Sequence, residues 1–311
     1  MAGTLFIMIA CFTWALDTLI RYPLLSAGYS AVQIVFIEHL TLVLCVSPLL
    51  WRYRQTYRNM TKTALACLFF IGGVGSAVGT LAFTEAFSYL NPTVVILLQK
   101  LQPLVAILLA YHFLKERIES HFIQWATVIL VGSFIMMWPD LATLGDAQWH
   151  YSSDQTAIIK GYSYTLIAVF SWGAATVCGK YLSYKNVPEN AILSGRFLSG
   201  LMVLLPIALL ITPSLKAMPI TDIGLVVVMA LLSGLIGMWF YYKGLNQVRA
   251  QTATLVELSF PVFAAGINWV FLDMSLSTYQ IVGACLLICG NIGLRMKELK
   301  APMPTIASAN T

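Results

Sequence analysis

Charge is what this chain is short of. Lys and Arg number 18 and Asp and Glu 13 among 311 residues, 10% together, where a soluble domain carries about 25%. With 59% of residues hydrophobic and a mean hydropathy of +0.80, water is not the solvent for most of the chain. Histidine is also scarce, four in all, and no H-E-x-x-H, G-x-S-x-G or Gly-rich phosphate-loop string occurs. That removes the usual signatures of a membrane metalloprotease, a serine hydrolase and an ATP-driven pump. The six cysteines, Cys11, Cys45, Cys67, Cys178, Cys285 and Cys289, all fall inside apolar runs. None has the loop spacing of a disulfide framework or zinc site, so no metal or other cofactor is expected. No basic segment precedes the first apolar run, which passes Trp14 and Asp17 without a small-residue cleavage site, so it reads as an uncleaved first helix.

What the chain has instead is apolar length. Runs of about 20 residues match a hydrocarbon core roughly 30 Å thick. Ten are present, at residues 2–20, 30–50, 63–87, 92–113, 121–138, 161–179, 190–211, 222–244, 251–272 and 278–295. The breaks carry Arg21 and Pro23, Asn91-Pro92, Lys115-Glu116-Arg117, Pro213 to Pro219 and Asp273. Backbone polar groups find no water in the core, so runs of this length must be helical.

Basic residues distribute unevenly between the two loop sides. Arg52, Arg54, Arg58, Lys62, Lys115, Arg117, Lys180, Lys185, Arg249, Arg295, Lys297 and Lys300 fall on one side, twelve in all, against three on the other, Arg21, Lys160 and Lys216. The positive-inside rule then places both termini in the cytoplasm, with the chain in the cytoplasmic (inner) membrane. The net charge of +5 reflects this asymmetry and not a nucleic-acid surface.

The two halves of the chain are copies. At an offset of 158, Phe12 falls on Phe170, Trp14 on Trp172, Pro48 on Pro206, Gly79 on Gly237, Pro103 on Pro261 and Gly132 on Gly290. Five helices per copy is an odd number, so the second copy enters the membrane upside down. The expected fold is an all-α integral membrane protein of ten transmembrane helices in two inverted five-helix repeats. Residues 1–138 form the first repeat, 139–160 an extracytoplasmic linker, 161–297 the second repeat and 298–311 a polar tail. Inverted repeats can exchange conformations and expose a midplane site to each side in turn.

The early tryptophan of each half, Phe12-Thr13-Trp14 and Phe170-Ser171-Trp172, is one recognisable motif. The other is Pro103-Leu104-Val105 running into Leu114-Lys115-Glu116-Arg117. Together they resemble the EamA family of the drug/metabolite transporter superfamily, over nearly the whole chain. The resemblance implies a central cavity between the halves and export or exchange of small metabolites, often amino acids. The second copy departs from the family's Gly-Glu with Asp273-Met274.

Polar side chains inside the membrane cost roughly 2.5–3.5 kcal/mol each for charged groups at a helix centre and mark cavities. On helix 4, Ile96, Gln99 or Lys100, and Pro103 share a face; on helix 9, Thr254, Glu257 and Pro261 do the same, with Gln99 aligned on Glu257. Polar groups one turn before a proline in both halves read as a paired cavity lining or as bonded proline kinks. Lys100 with Glu257 would suit a zwitterion. Trp14 and Asp17 share a face of helix 1, where Asp17 either meets substrate or pairs with Arg21. Trp172 and Trp239 are further candidates to stack on substrate, or else interface anchors or packing residues, and Glu85, near the outer end of helix 3, either meets substrate or snorkels to the interface. Glu38 aligns with Arg196 as a pair of structural or gating positions, with Glu38 also a protonatable coupling site. Lys243 reads as snorkelling, His39 and His112 as packing residues. Gly75-x-x-x-Gly79 and Ser233-x-x-x-Gly237 are close-packing faces.

These residues point to a secondary transporter for a small polar metabolite, an amino acid or related amine, driven by a proton or sodium gradient or uncoupled. A nucleotide, nucleotide-sugar or phosphorylated-metabolite exchanger would want more cavity cations than Lys100, Arg196 and Lys243. A membrane enzyme would want a catalytic constellation that the chain lacks.

Overall fold

The computed structural model describes residues 2–90, 95, 98–138, 155–211, 217–272 and 277–298, and among them every regular element is helical. Helix α1 spans Ala2–Ser26, α2 Ala31–Arg52, α3 Lys62–Ala86, α4 Gln102–Phe113 and α5 Ser120–Met136. The second copy follows with α6 at Gln155–Tyr184, α7 at Glu189–Ile211 and α8 at Ile220–Leu245. Helix α9 comes in two pieces, α9a at Ala250–Glu257 and α9b at Phe260–Leu272, and α10 covers Thr278–Glu298. Six of these helices are long and apolar enough to cross a membrane whole. Leu44, Phe113, Leu209, Leu210 and Ile220 stand exposed on the outside, a surface that suits lipid as its solvent.

The repeats are inverted and interlocked. The start of α1, at Gly3, packs against Gln247 and Val248 just past α8, and the start of α6, at Gly161, packs against Tyr89 and Leu90 just past α3. Since α3 runs away from the end where α1 begins, α6 enters from the opposite end. Helix α1 lies against α8 and α9, and its copy α6 lies against α3 and α4, so each half completes its packing on the other. Gly79 leaves room for the Trp172 indole and Gly237 for that of Trp14, which makes both small-residue faces packing faces. The caps repeat too. After α1 the chain turns through Gly28 (φ 86°), with Tyr29 N–H donating to the Leu24 carbonyl at 3.3 Å. After α6 it turns through Asn186 (φ 57°), with Val187 N–H donating to Leu182 at 3.1 Å. Both are left-handed caps that satisfy carbonyls at a helix end.

Several boundaries differ from the sequence reading. Helix α1 does not stop at residue 20 but carries Arg21 and Pro23 to Ser26, because Asp17 and Glu38 neutralise Arg21 and Pro23, so near the end, forfeits little of the ladder. Helix α6 begins at Gln155 and takes Lys160 out of the expected linker. Lys180, counted among the loop cations, is 1% exposed. Residues 139–154, the tail from 299, Asn91-Pro92, Ile96, Pro213, Lys216 and Asp273-Met274 lie outside the described residues.

Two irregularities recur in both halves. Helices α3 and α8 each widen into a π-helical stretch, Phe70–Val78 and Ala230–Gly237, a distortion that often accompanies function. The fourth and ninth helices break at Lys100-Leu101 and Leu258-Ser259. The cause is Pro103 and Pro261, whose rings would clash with the carbonyls four residues back, those of Gln99 and Glu257.

Close approach makes one glycine indispensable. A Cβ at Gly72 of α3 would collide with the Arg196 carbonyl and the Ser199 hydroxyl of α7. Gly72→Ala is therefore expected to destabilise the bundle by about 1–3 kcal/mol, read as a lowered unfolding temperature in detergent; an unchanged temperature would contradict this packing.

Candidate functional site

The helix break before Pro261 leaves Glu257 as the last residue of α9a, turned into the interface between the halves. Each oxygen of its carboxylate accepts a bond: Gln102 Nε2 donates to Oε2 at 2.8 Å and the Tyr241 hydroxyl donates to Oε1 at 3.0 Å. Tyr241 thereby gives up its one proton, so Thr176, whose Oγ1 lies 2.8 Å away, is the donor in their contact. The Trp14 ring packs on Tyr241 with centroids 5.5 Å apart. The Cys11 thiol lies 3.7 Å from the Glu257 carbonyl oxygen, and the Lys100 ammonium lies 5.7 Å from the centre of the Phe260 ring. Helices α1, α6, α8 and α9 thus converge with the Lys100–Gln102 break of the fourth helix. The Thr254 hydroxyl, one turn before Glu257 and 1% exposed, has no hydrogen-bond partner.

The other half holds the counterpart in neutral form. Trp172 packs on Phe83 at 4.9 Å; Phe83 is the repeat mate of Tyr241, as Gln99 is of Glu257. The buried Gln99 Oε1 has no partner. Thr176 sits between the two, its Oγ1 2.8 Å from the Tyr241 hydroxyl and 3.2 Å from the carbonyl of Trp172 one turn earlier on α6, with a single proton shared between these two acceptors.

Two further polar clusters flank this centre. Arg21 donates to Asp17 at 2.9 Å and to Glu38 at 3.0 Å, leaving Asp17 Oδ1 and Arg21 Nη1 buried without partners. Arg196 donates from Nη1 to the Tyr242 hydroxyl at 3.1 Å and from Nε to Ser76 at 3.2 Å. Ser76 is 3.1 Å from His39 Nε2, and His39 Nδ1 is 2.9 Å from the Val35 carbonyl. A carbonyl can only accept, so Nδ1 carries the proton and Nε2 accepts from Ser76.

The structure sorts the residues expected from sequence. Trp14, Gln99, Lys100, Trp172, Thr254 and Glu257 lie on the elements that meet here, and Pro103 and Pro261 set the breaks. Asp17 belongs to the Arg21 cluster. Glu38 and Arg196, aligned by the repeat, do not meet, because Arg21 takes Glu38 while Ser76 and Tyr242 take Arg196. Glu85 is half-buried on α3. Trp239 stands apart from this convergence. Its ring is exposed on the outer face, against Phe240 at 4.9 Å and under the Lys243 ammonium at 4.6 Å, because the helical turn that points Gly237 and Tyr241 inward points Trp239 out. Sequence reasoning missed Gln102, Thr176 and Tyr241. The signal was available in Tyr241, where the second copy adds a hydroxyl to the ring found at Phe83. Two open volumes lie elsewhere among the described residues. A crevice of about 610 Å³ between α5 and α10 is lined by apolar groups such as Phe134, Trp138 and Val282, and one of about 220 Å³ borders Leu49, Asn190 and Trp239.

Comparison with known proteins agrees with the repeat and the fold. The riboflavin transporter ImpX of Fusobacterium nucleatum is 29% identical over 299 residues, 92% of this chain and 95% of its own. The uncharacterized transporter YoaV of Bacillus subtilis is 29% identical over 144 residues, 44% of this chain and 47% of its own. A solved structure, titled only as a crystal structure of a protein, superposes with a TM-score of 0.70 at 16% identity, over 95% of this chain and 97% of that one. The model of the EamA-like transporter family matches residues 1–138 and 159–296, and the chain belongs to that family of multi-pass membrane transporters of small molecules.

Proposed function

We propose that the chain carries a planar, polar heteroaromatic metabolite of the riboflavin class across the cytoplasmic membrane by alternating access. The observation that carries this reading is the pair of aromatic contacts, Trp14 on Tyr241 and Trp172 on Phe83, with Thr176 beside Tyr241 and amide and hydroxyl groups at their border. Such a ring system stacks on indole faces, and its imide and carbonyl edges match the unpartnered Gln99 Oε1 and Thr254 hydroxyl. The name of the Fusobacterium relative supports the same class. The N-terminal end faces the cytoplasm on the loop-charge count, which keeps its asymmetry after the buried Lys180 and Arg21 are removed from it. A proton or sodium gradient, or exchange, supplies the drive.

One observation favours the amino-acid or amine reading instead: Lys100 and Glu257 lie at equivalent breaks of the fourth and ninth helices. Against it, each oxygen of Glu257 already accepts from a neutral donor, Gln102 or Tyr241, with which an ammonium would have to compete. Proteoliposomes loaded with purified protein separate the two. Saturable movement of labelled riboflavin, competed by flavin analogues and not by zwitterionic amino acids, is expected; amino-acid movement without riboflavin movement would replace this reading with the second. Trp172→Ala is expected to raise the KM for riboflavin about 2- to 10-fold, from a stacking loss of about 0.5–1.5 kcal/mol.

A further inference from the structure

At the end of the bundle where the N-terminus lies, α8 ends and α9a begins, leaving carbonyls and N–H groups without helical partners. Two buried charges take them. The Lys180 ammonium of α6 donates to the carbonyls of Leu245 at 2.9 Å and Asn246 at 3.2 Å. The Glu116 carboxylate, 1% exposed just past α4, accepts from the N–H groups of Ala250 at 3.0 Å and Gln251 at 3.2 Å. A cation at a helix C-terminus and an anion at a helix N-terminus both suit the helix dipoles. Tyr184 ties them together, with Lys180 Nζ 4.6 Å from its ring centre and its hydroxyl donating to Glu116 at 3.0 Å.

We propose that Lys180, Tyr184 and Glu116 form the gate at this end, acting as positioning residues for the half-helix that ends in Glu257. Helix α9a has eight residues, about 12 Å of rigid rod, with Glu116 holding its first N–H groups and Glu257 at its far end in the substrate site. A substrate that displaces Gln102 or Tyr241 from Glu257 pulls on the same rod that Glu116 anchors. The clamp joins elements of both repeats, so opening this end separates it. By sequence it has no copy at the other end, where the repeat mates of Lys180, Tyr184 and Glu116 are Tyr22, Ser26 and Met274. That end carries the Asp17–Arg21–Glu38 cluster in its place, so the two gates are chemically unlike, and the clamp at this end is flanked by an Arg249–Glu119 ion pair at 3.3 Å.

The gate rests on the alternating-access reading above, and its test needs no substrate. Hydrogen exchange of the full chain in lipid nanodiscs is compared for the wild type, Glu116→Gln, Lys180→Met and the conservative Lys180→Arg. The first two are expected to exchange about tenfold faster or more over residues 245–257 and at the start of α1, from the loss of charge-assisted bonds. Residues 17–38 at the opposite end should become more protected, and Lys180→Arg should follow the wild type. Loosening confined to 245–257, or loosening at both ends together, marks a purely structural cap and overturns the proposal. A failure of riboflavin to move leaves this outcome readable by itself.

Discussion

Glu257→Gln is expected to abolish most transport while the protein stays folded. A carboxylate accepts from Gln102 and Tyr241 on separate oxygens, whereas an amide keeps one acceptor and presents donors where the other was. Both charge-assisted bonds become neutral and the one to Tyr241 must reverse, its hydroxyl accepting from the new amide, so the orientation that Tyr241 holds against Trp14 and Thr176 changes with it. Hydrogen bonds to charged groups contribute about 1.5–3 kcal/mol each, so initial rates in proteoliposomes should fall about 10- to 150-fold. Gln99→Glu, at the repeat-related position, should not restore them, because Phe83 there lacks the hydroxyl that Tyr241 supplies. A Glu257→Gln protein that transports at the wild-type rate would remove Glu257 from the site.

The second large effect is one of stability. Arg21→Met leaves Asp17 and Glu38, on adjacent helices, as two uncompensated carboxylates with side chains 17% and 10% exposed. Removing one partner of a buried ionic group costs about 3–5 kcal/mol, and here it also sets like charges side by side. Thermal unfolding in detergent should drop sharply, and the triple change Arg21→Met, Asp17→Asn, Glu38→Gln should recover much of the loss, because no charge is then stranded. If the single variant unfolds at the wild-type temperature, the cluster does not support the fold.

The architecture was legible in the sequence for a simple reason: lipid leaves helix as the only solution for long apolar runs, and an odd-numbered repeat must invert. The prolines announced the breaks beside Gln99 and Glu257, since the i−4 clash is a local matter. What stayed hidden depended on where side chains reach after the helices cross. Lys180 looks like a loop cation because it falls near the end of an apolar run, yet α6 continues to Tyr184 and turns its ammonium onto the end of α8. Arg21 looks like a boundary because its neutralisers include Glu38, on another helix. Trp239 looked like Trp172 by residue type alone, and only its helical phase put it outside. The partners of Glu257 come from α4 and α8, a convergence that no single-helix periodicity contains.

The reciprocal packing of each tryptophan on the other half's glycine also sets a schedule for biogenesis. Trp14 meets Gly237, a residue made 237 − 14 = 223 positions later. At roughly 5–20 residues per second of synthesis, that ring waits about 10 to 45 s in the membrane for its socket. The first five helices are therefore inserted long before their core can close, and until then the polar groups of α1 depend on lipid, insertion machinery or one another for company.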